Sequence, residues 1–145
     1  MKVAVFNNDA GGVSVLIPAP GRSLHEVVQK DMPKGIKFSV SAMDKLPDRT
    51  FRDSWELSGK DVTINVTKAK DMAHRLRRQK REQEFKPYDE VLMKQIPGTD
   101  IDAIEYKRDS IRRKYWRIQD DIDACESPDE LKEVIQKEDL DGVHI

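Results

Sequence analysis

The apolar residues of this chain change their spacing near residue 66, and this change constrains the fold more than any other feature. Before it, short runs such as Val3-Ala4-Val5 and Val13-Ser14-Val15 place an apolar side chain at every second position, the period of a strand. After it, apolar residues recur every three or four positions, the period of a helix. We therefore predict an α+β chain with a small β-rich domain at residues 1–66 and a charged helical region at residues 67–145.

The first domain is predicted to hold a small, mainly antiparallel sheet and one short helix. Residues 7–12, Asn-Asn-Asp-Ala-Gly-Gly, supply turn residues between the first two strands and indicate a β-hairpin. Ser23 and Glu26 have the spacing of a capping box, which predicts a helix start. Residues 36–40 and 62–66 alternate again and are predicted as further strands, with Phe51 and Trp55 near a fourth extended segment.

The second region is predicted to form an extended helical hairpin followed by a short last helix. Its second helix carries an apolar seam at Ile104, Ile111, Tyr115, Ile118 and Ile122. Residues 77–84 contain no apolar side chain, so we expect this stem to project and to be held by a partner or by another copy of the chain. Residues 138–145 are expected to fray unless a partner holds them.

Charge is separated along the helical region although it nearly cancels overall, with 26 basic and 27 acidic residues. Basic residues concentrate at 68–81 and 107–117, and acidic residues at 119–145. Arginines 77, 78, 112 and 113 could neutralise phosphates, with Tyr115 and Trp116 stacking on bases. The alternative, which we favour, is that these are solvated helix faces that pair with acids of the chain or of a neighbouring subunit.

Few residues of the chain are candidates for metal binding or catalysis. His25, His74, His144 and the single Cys125 have no partners at metal-ligand spacing, so no metal and no cofactor are predicted. Cys125 lies among acidic residues, which disfavour a thiolate nucleophile, and no phosphate-binding loop or serine nucleophile motif is present. No apolar run is long enough to span a membrane, and the N-terminus has no signal-like stretch. We expect a non-enzymatic protein made in the cytoplasm, without a membrane partner.

One segment is distinctive. Residues 46–56 read LPDRTFRDSWE and resemble the "LPDRTFRxAWE" stretch of a family of small tailed-bacteriophage proteins. Residues 28–35 resemble the "KDVPxG" stretch of the same family. The basic helix entry at residues 66–70, the Ile-Arg-Arg of residues 111–113 and the Ser-Pro-Asp-Glu-Leu start at residue 127 also match its layout. Ser54 departs from the pattern, which has a small alanine-like residue there.

This resemblance implies a role but no mechanism. Members of the family are encoded among virion structural genes, and the helical half is loosely similar to phage tail assembly chaperones and tail-fibre-associated proteins. It implies a virion structural or tail assembly protein that binds other virion proteins or further copies of itself. The alternative is a nucleic-acid-binding or host-modulating phage protein that uses the basic helices.

The residues of the motif have two interpretations. Trp and Arg are favoured anchors of protein interfaces, so the motif is one candidate interface. Equally, Phe51 and Trp55 could close the small β core while the arginines are solvated. The full set of candidate interface residues is Arg49, Phe51, Arg52, Trp55, Arg77, Arg78, Arg112, Arg113 and Trp116.

Overall fold

A computed structural model describes residues 1–143 and confirms the α+β class. Its contacts divide the chain into two compact units, one from Met1 to Ala69 and one that begins at Lys70. The first unit holds the strands and one short helix, and the second is helical. The sequence prediction placed the change after Val66, a few residues earlier.

The first unit contains a three-stranded antiparallel sheet in the order β2-β1-β3. Strand β1 (Lys2–Asn7) lies in the middle, between β2 (Val13–Leu16) and β3 (Ser39–Ala42). The β1–β2 turn matches the predicted hairpin. The Asn8 side-chain oxygen accepts hydrogen bonds from the backbone N–H groups of Ala10 and Gly12 at 3.1 and 2.9 Å, and Gly11 takes a φ of +81°, which glycine adopts without strain.

A second, two-stranded ribbon closes the core of this unit. Strands β4 (Trp55–Ser58) and β5 (Asp61–Ile64) pair antiparallel across a turn at Gly59. Trp55 is 1% exposed and packs with Val3, Val5 and Val13. The tryptophan thereby joins the ribbon to the three-stranded sheet.

Helix α1 (Leu24–Asp31) packs against β1. The Ser23 hydroxyl accepts a hydrogen bond from the Glu26 N–H at 3.2 Å, as its capping position predicts. Val27 is the buried residue of the helix. Because successive residues of β1 point to opposite faces of the sheet, the buried Ala4 lies on the face opposite Val3 and Val5.

The predicted strand at residues 36–40 is wrong in its limits. Strand β3 begins only at Ser39, and Ile36 and Phe38 precede it with exposed side chains. Gly35 turns the chain with a φ of +80°. The register pairs Val40 with Ala4 and Ser41 with Val3, so β3 presents Ser41, and not Val40, on the face that holds Trp55.

Three helices form the second unit. Helix α2 (Val66–Lys94) starts at the end of the first unit and runs through Pro87 without a break, although proline lacks the N–H for its intrahelical bond. Helix α3 (Ile101–Ala124) is capped by Asp100, and helix α4 (Pro128–Lys137) by Ser127 with Pro128 at its first position. A short 3₁₀ turn, Leu140–Val143, follows.

Helices α2 and α3 run antiparallel. Polar pairs join His74 to Asp123, Glu84 to Lys114 and Asp89 to Arg108, at 2.7, 2.8 and 3.0 Å. Each step forward along α2 is thus matched by a step back along α3. Arg117 of α3 reaches Glu138 after α4 at 2.9 Å, and Lys80 of α2 reaches Asp139 at 3.7 Å, so the chain after α3 folds back on both helices.

The expectation that residues 77–84 lack support within the chain is wrong, while a partner for this stretch stays a prediction. Arg77 is 9% exposed, and Ala73 and Phe85 on either side of this stretch are also buried. Lys80 and Glu84, inside the stretch, pair with residues of the same unit. Polar contacts within the chain therefore support the part of α2 that has no apolar residue.

The seam predicted on α3 is confirmed at four of its five positions. Ile111, Tyr115, Ile118 and Ile122 are buried, whereas Ile104 is half-buried. Leu131 and Ile135 of α4 are buried as well. Leu140 is also buried, so the expected fraying is wrong at this position. Residues 144–145 of that prediction lie outside the described residues.

Arg77 is held inside the unit by a short polar chain. Its Nε–H donates to His74 Nδ1 at 3.2 Å, and His74 Nε2 lies 2.7 Å from Asp123 Oδ1. Because arginine is only a donor, His74 Nδ1 is the acceptor of this bond. His74 Nε2 is then the ring nitrogen that donates to the Asp123 carboxylate.

The two tryptophans provide a test of this fold, because Trp55 is 1% and Trp116 is 65% exposed. Trp55→Ala should lower the free energy of unfolding of the first unit by about 3–5 kcal/mol. Trp116→Ala should change the stability of the second unit by less than about 0.5 kcal/mol. Urea unfolding followed by far-UV circular dichroism checks both values. Equal effects of the two variants would contradict the fold.

The polar chain on Arg77 gives a second test. His74→Leu should lower the free energy of unfolding by about 1–3 kcal/mol, because it leaves the buried Arg77 Nε–H without its acceptor. The exposed neighbour Arg75 is a matched control, and Arg75→Ala should change stability by less than about 0.5 kcal/mol. Chemical denaturation of both variants is the measurement. The assignment fails if His74→Leu is as stable as Arg75→Ala.

Candidate functional site

The residues that resemble the phage motif build the first unit and leave little of its aromatic surface free. Asp48 caps the 3₁₀ turn Arg49–Ser54 by accepting from the Thr50 N–H at 2.8 Å. Phe51 is buried, and the Trp55 indole N–H donates to the Asp48 carbonyl at 3.3 Å. The interface interpretation of Phe51 and Trp55 is therefore wrong, because both side chains are already in the core.

The other positions of the motif also have structural partners. The Arg52 guanidinium lies over the Trp55 ring at 4.4 Å, a cation–π contact. Ser54 is fully buried and donates to the Phe51 carbonyl at 2.7 Å, so only a small residue fits there. Glu56 accepts from the Asn65 amide at 2.6 Å just before α2. Arg49 alone of the two motif arginines is exposed.

In the second unit, α3 presents two opposite faces. The buried seam occupies one of them. On the other, exposed residues recur every three or four positions, and we call them the outer face of α3: Tyr106, Asp109, Arg113, Trp116 and Asp120. Tyr106 and Trp116 are 67% and 65% exposed. Arg113 pairs with Asp109 at 2.7 Å between them.

A second feature is a cleft of about 410 Å³ between α2 and α3, which we call the Phe85 cleft. Its arginines surround the Phe85 ring, and the guanidinium carbons of Arg81, Arg108 and Arg112 lie 4.7, 5.7 and 5.9 Å from the ring centre. Arg78 completes the basic wall, and Glu82 and Asp89 are the acidic residues that line the cleft.

The structure thus separates the candidate interface residues of the second unit into three groups. Arg78 and Arg112 come together in the Phe85 cleft. Arg113 and Trp116 lie on the outer face of α3. Arg77 is buried, and its pKa is lowered by that burial and by the nearby Arg78 and Arg81. Arg77 is therefore a structural residue and not part of a surface.

Sequence reasoning missed the residues that define the cleft, namely Arg81, Phe85 and Arg108. In the sequence, Phe85 is simply the first apolar residue after the polar stretch at residues 77–84. The signal that could have found the cleft is the hairpin register, because an antiparallel pairing across residues 97–98 brings Phe85 opposite Arg112. In the structure, the contact between Asp89 and Arg108 fixes that register.

The groups able to carry covalent or metal chemistry are isolated. Within residues 1–143, no cluster of three or more His, Cys, Asp or Glu side chains could hold a metal ion. His74 is engaged with Arg77 and Asp123, and His144 lies outside the described residues. Cys125 is buried, and its thiol donates to the Asp121 carbonyl at 3.2 Å. Burial, with a further effect of Glu130, raises the pKa of Cys125.

Comparisons of the chain with protein-family models, with curated proteins and with solved structures found no match. In the part of the chain that the structure describes, none of the helices combines the length and the apolar character needed to cross a bilayer. The features that bear on function are therefore the outer face of α3, the Phe85 cleft and the motif resemblance.

Cys125 gives a prediction about reactivity. Because the folded-state pKa is raised, little thiolate is present at neutral pH, and alkylation by iodoacetamide should be slower in the native than in the urea-unfolded protein. The alkylation rate of the native protein should rise with pH, with a midpoint above the pKa of an ordinary cysteine. Mass spectrometry of timed reactions measures both rates. Equal rates at neutral pH would contradict the buried, hydrogen-bonded thiol.

Proposed function

We propose that this chain is a non-enzymatic bacteriophage virion structural or tail assembly protein that binds other virion proteins. The motif at residues 46–56 supports the phage origin by its resemblance. The observation that supports a protein partner is the outer face of α3, where two large aromatic side chains lie exposed on either side of the Asp109–Arg113 pair. Trp, Tyr and Arg are the residues that most often dominate binding energy at protein interfaces.

The outer face presents two exposed aromatic rings and an arginine on one side of a helix. These residues lie on one side of α3. The buried seam on the opposite side of α3 packs the helix into the unit, so the outer face is presented by a rigid element. A Trp or Tyr side chain buries about 150–250 Å² when it is covered. Exposed rings of this kind cost free energy in water, and a partner surface that covers them would recover it.

The alternative function, nucleic-acid binding or host modulation through the basic helices, has support from a different feature. Arg78, Arg81 and Arg112 meet in the Phe85 cleft, and Trp116 lies one helical turn beyond Arg112. Extended binding of duplex DNA is disfavoured by the carboxylates around this cleft and by the acidic residues of α4. For this reason the protein-binding function is preferred.

The proposed function predicts the outcome of complementation in a phage that encodes the chain. Trp116→Ala with Arg113→Ala should abolish co-purification with the virion or with a virion protein, while the purified variant remains folded. Arg75→Ala, an exposed arginine of α2 outside the outer face, should co-purify like the wild type. Quantitative mass spectrometry of purified virions and of tagged complexes from infected cells is the measurement.

The two methods separate the proposed roles. A stoichiometric amount in virions indicates a structural component. Capture of a virion protein only from infected cells indicates an assembly chaperone. Absence from both, or recovery with nucleic acid alone, would reject the protein-binding function.

A further inference from the structure

The Phe85 cleft holds more positive charge than the chain neutralises. Within the described residues, Arg78, Arg81 and Arg112 have no carboxylate oxygen within 4.0 Å, whereas Arg108 pairs with Asp89 at 3.0 Å and with Glu105 at 2.9 Å. Four guanidinium groups, set against Glu82 and Asp89 of the cleft lining and Glu105, which pairs with Arg108, leave a net charge of +1. The cleft is thus a local cation in a chain of nearly zero net charge.

This arrangement costs free energy in the unliganded protein. Guanidinium groups gathered around one ring repel each other, and partial burial weakens the screening by water. The Phe85 ring compensates in part, because its face attracts the cations that lie over it. An anion in the cleft would remove the remaining repulsion, so the three unpaired arginines are placed to bind one.

The placement of the arginines on two helices favours a tetrahedral anion. Arg78 and Arg81 come from α2, and Arg112 comes from α3, so the cleft has basic residues on both of its helices. A carboxylate has two oxygens in one plane, and a single guanidinium fork can bind both of them. A phosphoryl group has three terminal oxygens that point in different directions, so arginines from two helices can bind it together, and its negative charge is opposite to that of the cleft.

The surroundings favour a compact anion over a long one. Glu82 and Asp89 line the cleft beside the arginines, and Glu105 pairs with Arg108. A continuous phosphate backbone would have to pass these carboxylates, whereas a single phosphoryl group would not. We propose that the Phe85 cleft is a binding site for one phosphoryl dianion, contributed by a small phosphate compound or by the terminal phosphate of a nucleic-acid strand.

The first experiment titrates the full-length protein with sodium phosphate at constant ionic strength and follows the arginine Nε–Hε signals by ¹H–¹⁵N NMR. We expect saturable shifts at Arg78, Arg81 and Arg112, with a dissociation constant of about 1 mM or tighter, and no shift at the exposed Arg75. Succinate, a dicarboxylate of the same charge, should bind at least about tenfold more weakly.

Substitutions test which residues bind. Each of Arg78→Gln, Arg81→Gln and Arg112→Gln should weaken phosphate binding by about tenfold or more, because each removes a charged donor. Arg75→Gln should leave the affinity unchanged. These arginines form no ion pair within residues 1–143, so the variants should keep the far-UV circular dichroism spectrum of the parent protein. If a variant does not fold, the phosphate titration of the unsubstituted protein still tests the site.

A 5′-phosphorylated trinucleotide identifies the source of the phosphoryl group. Affinity more than tenfold above that of phosphate, lost when the 5′-phosphate is removed, would support the site with a strand end as its ligand. Equal affinities would support the site with a small phosphate compound as its ligand. The proposal is overturned if no arginine signal saturates, if Arg75 shifts as much as the cleft arginines, or if succinate binds as well as phosphate.

Discussion

The second unit depends on the antiparallel pairing of α2 with α3. Helix α2 alone has too few apolar residues to hold its place, since residues 77–84 contain none. The seam of α3 supplies four buried side chains, with Tyr115, Ile118 and Ile122 almost fully covered. Polar pairs then fix the register, because Glu84 and Asp89 meet Lys114 and Arg108 at only one alignment of the helices.

This pairing also explains why a polar helix is tolerated. A buried arginine is costly unless its donors are satisfied. In α2 the Arg77 Nε–H donates to His74 Nδ1, and His74 Nε2 in turn contacts Asp123 of α3. The same contact that accommodates the charge joins the two helices, so the apparent gap in the apolar pattern is a site of specific polar packing.

The two units differ in what their distinctive residues do. In the first unit, most residues of the segment at 46–56 have structural roles. Asp48 caps a turn, and Phe51 and Trp55 are buried. Arg52 stacks on Trp55. In the second unit, Trp116 remains exposed and Arg112 has no ion pair among the described residues. The candidate binding surfaces therefore lie in the second unit and outside the LPDRTFRDSWE segment.

Much of the local structure could be predicted from the sequence, because it depends on neighbouring residues. The period-two runs, the turn at residues 7–12, the caps at Ser23 and Ser127 and the seam of α3 all involve contacts within a few positions along the chain. Strand β3 shows the limit, since its pairing with β1 and not its own alternation decided which residues face the core.

The tertiary structure alone decided which basic residues form a site. In the sequence, Arg77 and Arg78 are equivalent neighbours in a basic run, yet helix geometry turns one inward to His74 and the other outward to the Phe85 cleft. Arg112 and Arg113 separate in the same way, one toward the cleft and one toward the outer face of α3. Composition and period determined that this chain has a small sheet followed by charged helices. The division of its arginines between support, cleft and surface required the register of two helices, because it depends on residues some thirty positions apart, such as Glu84 and Lys114.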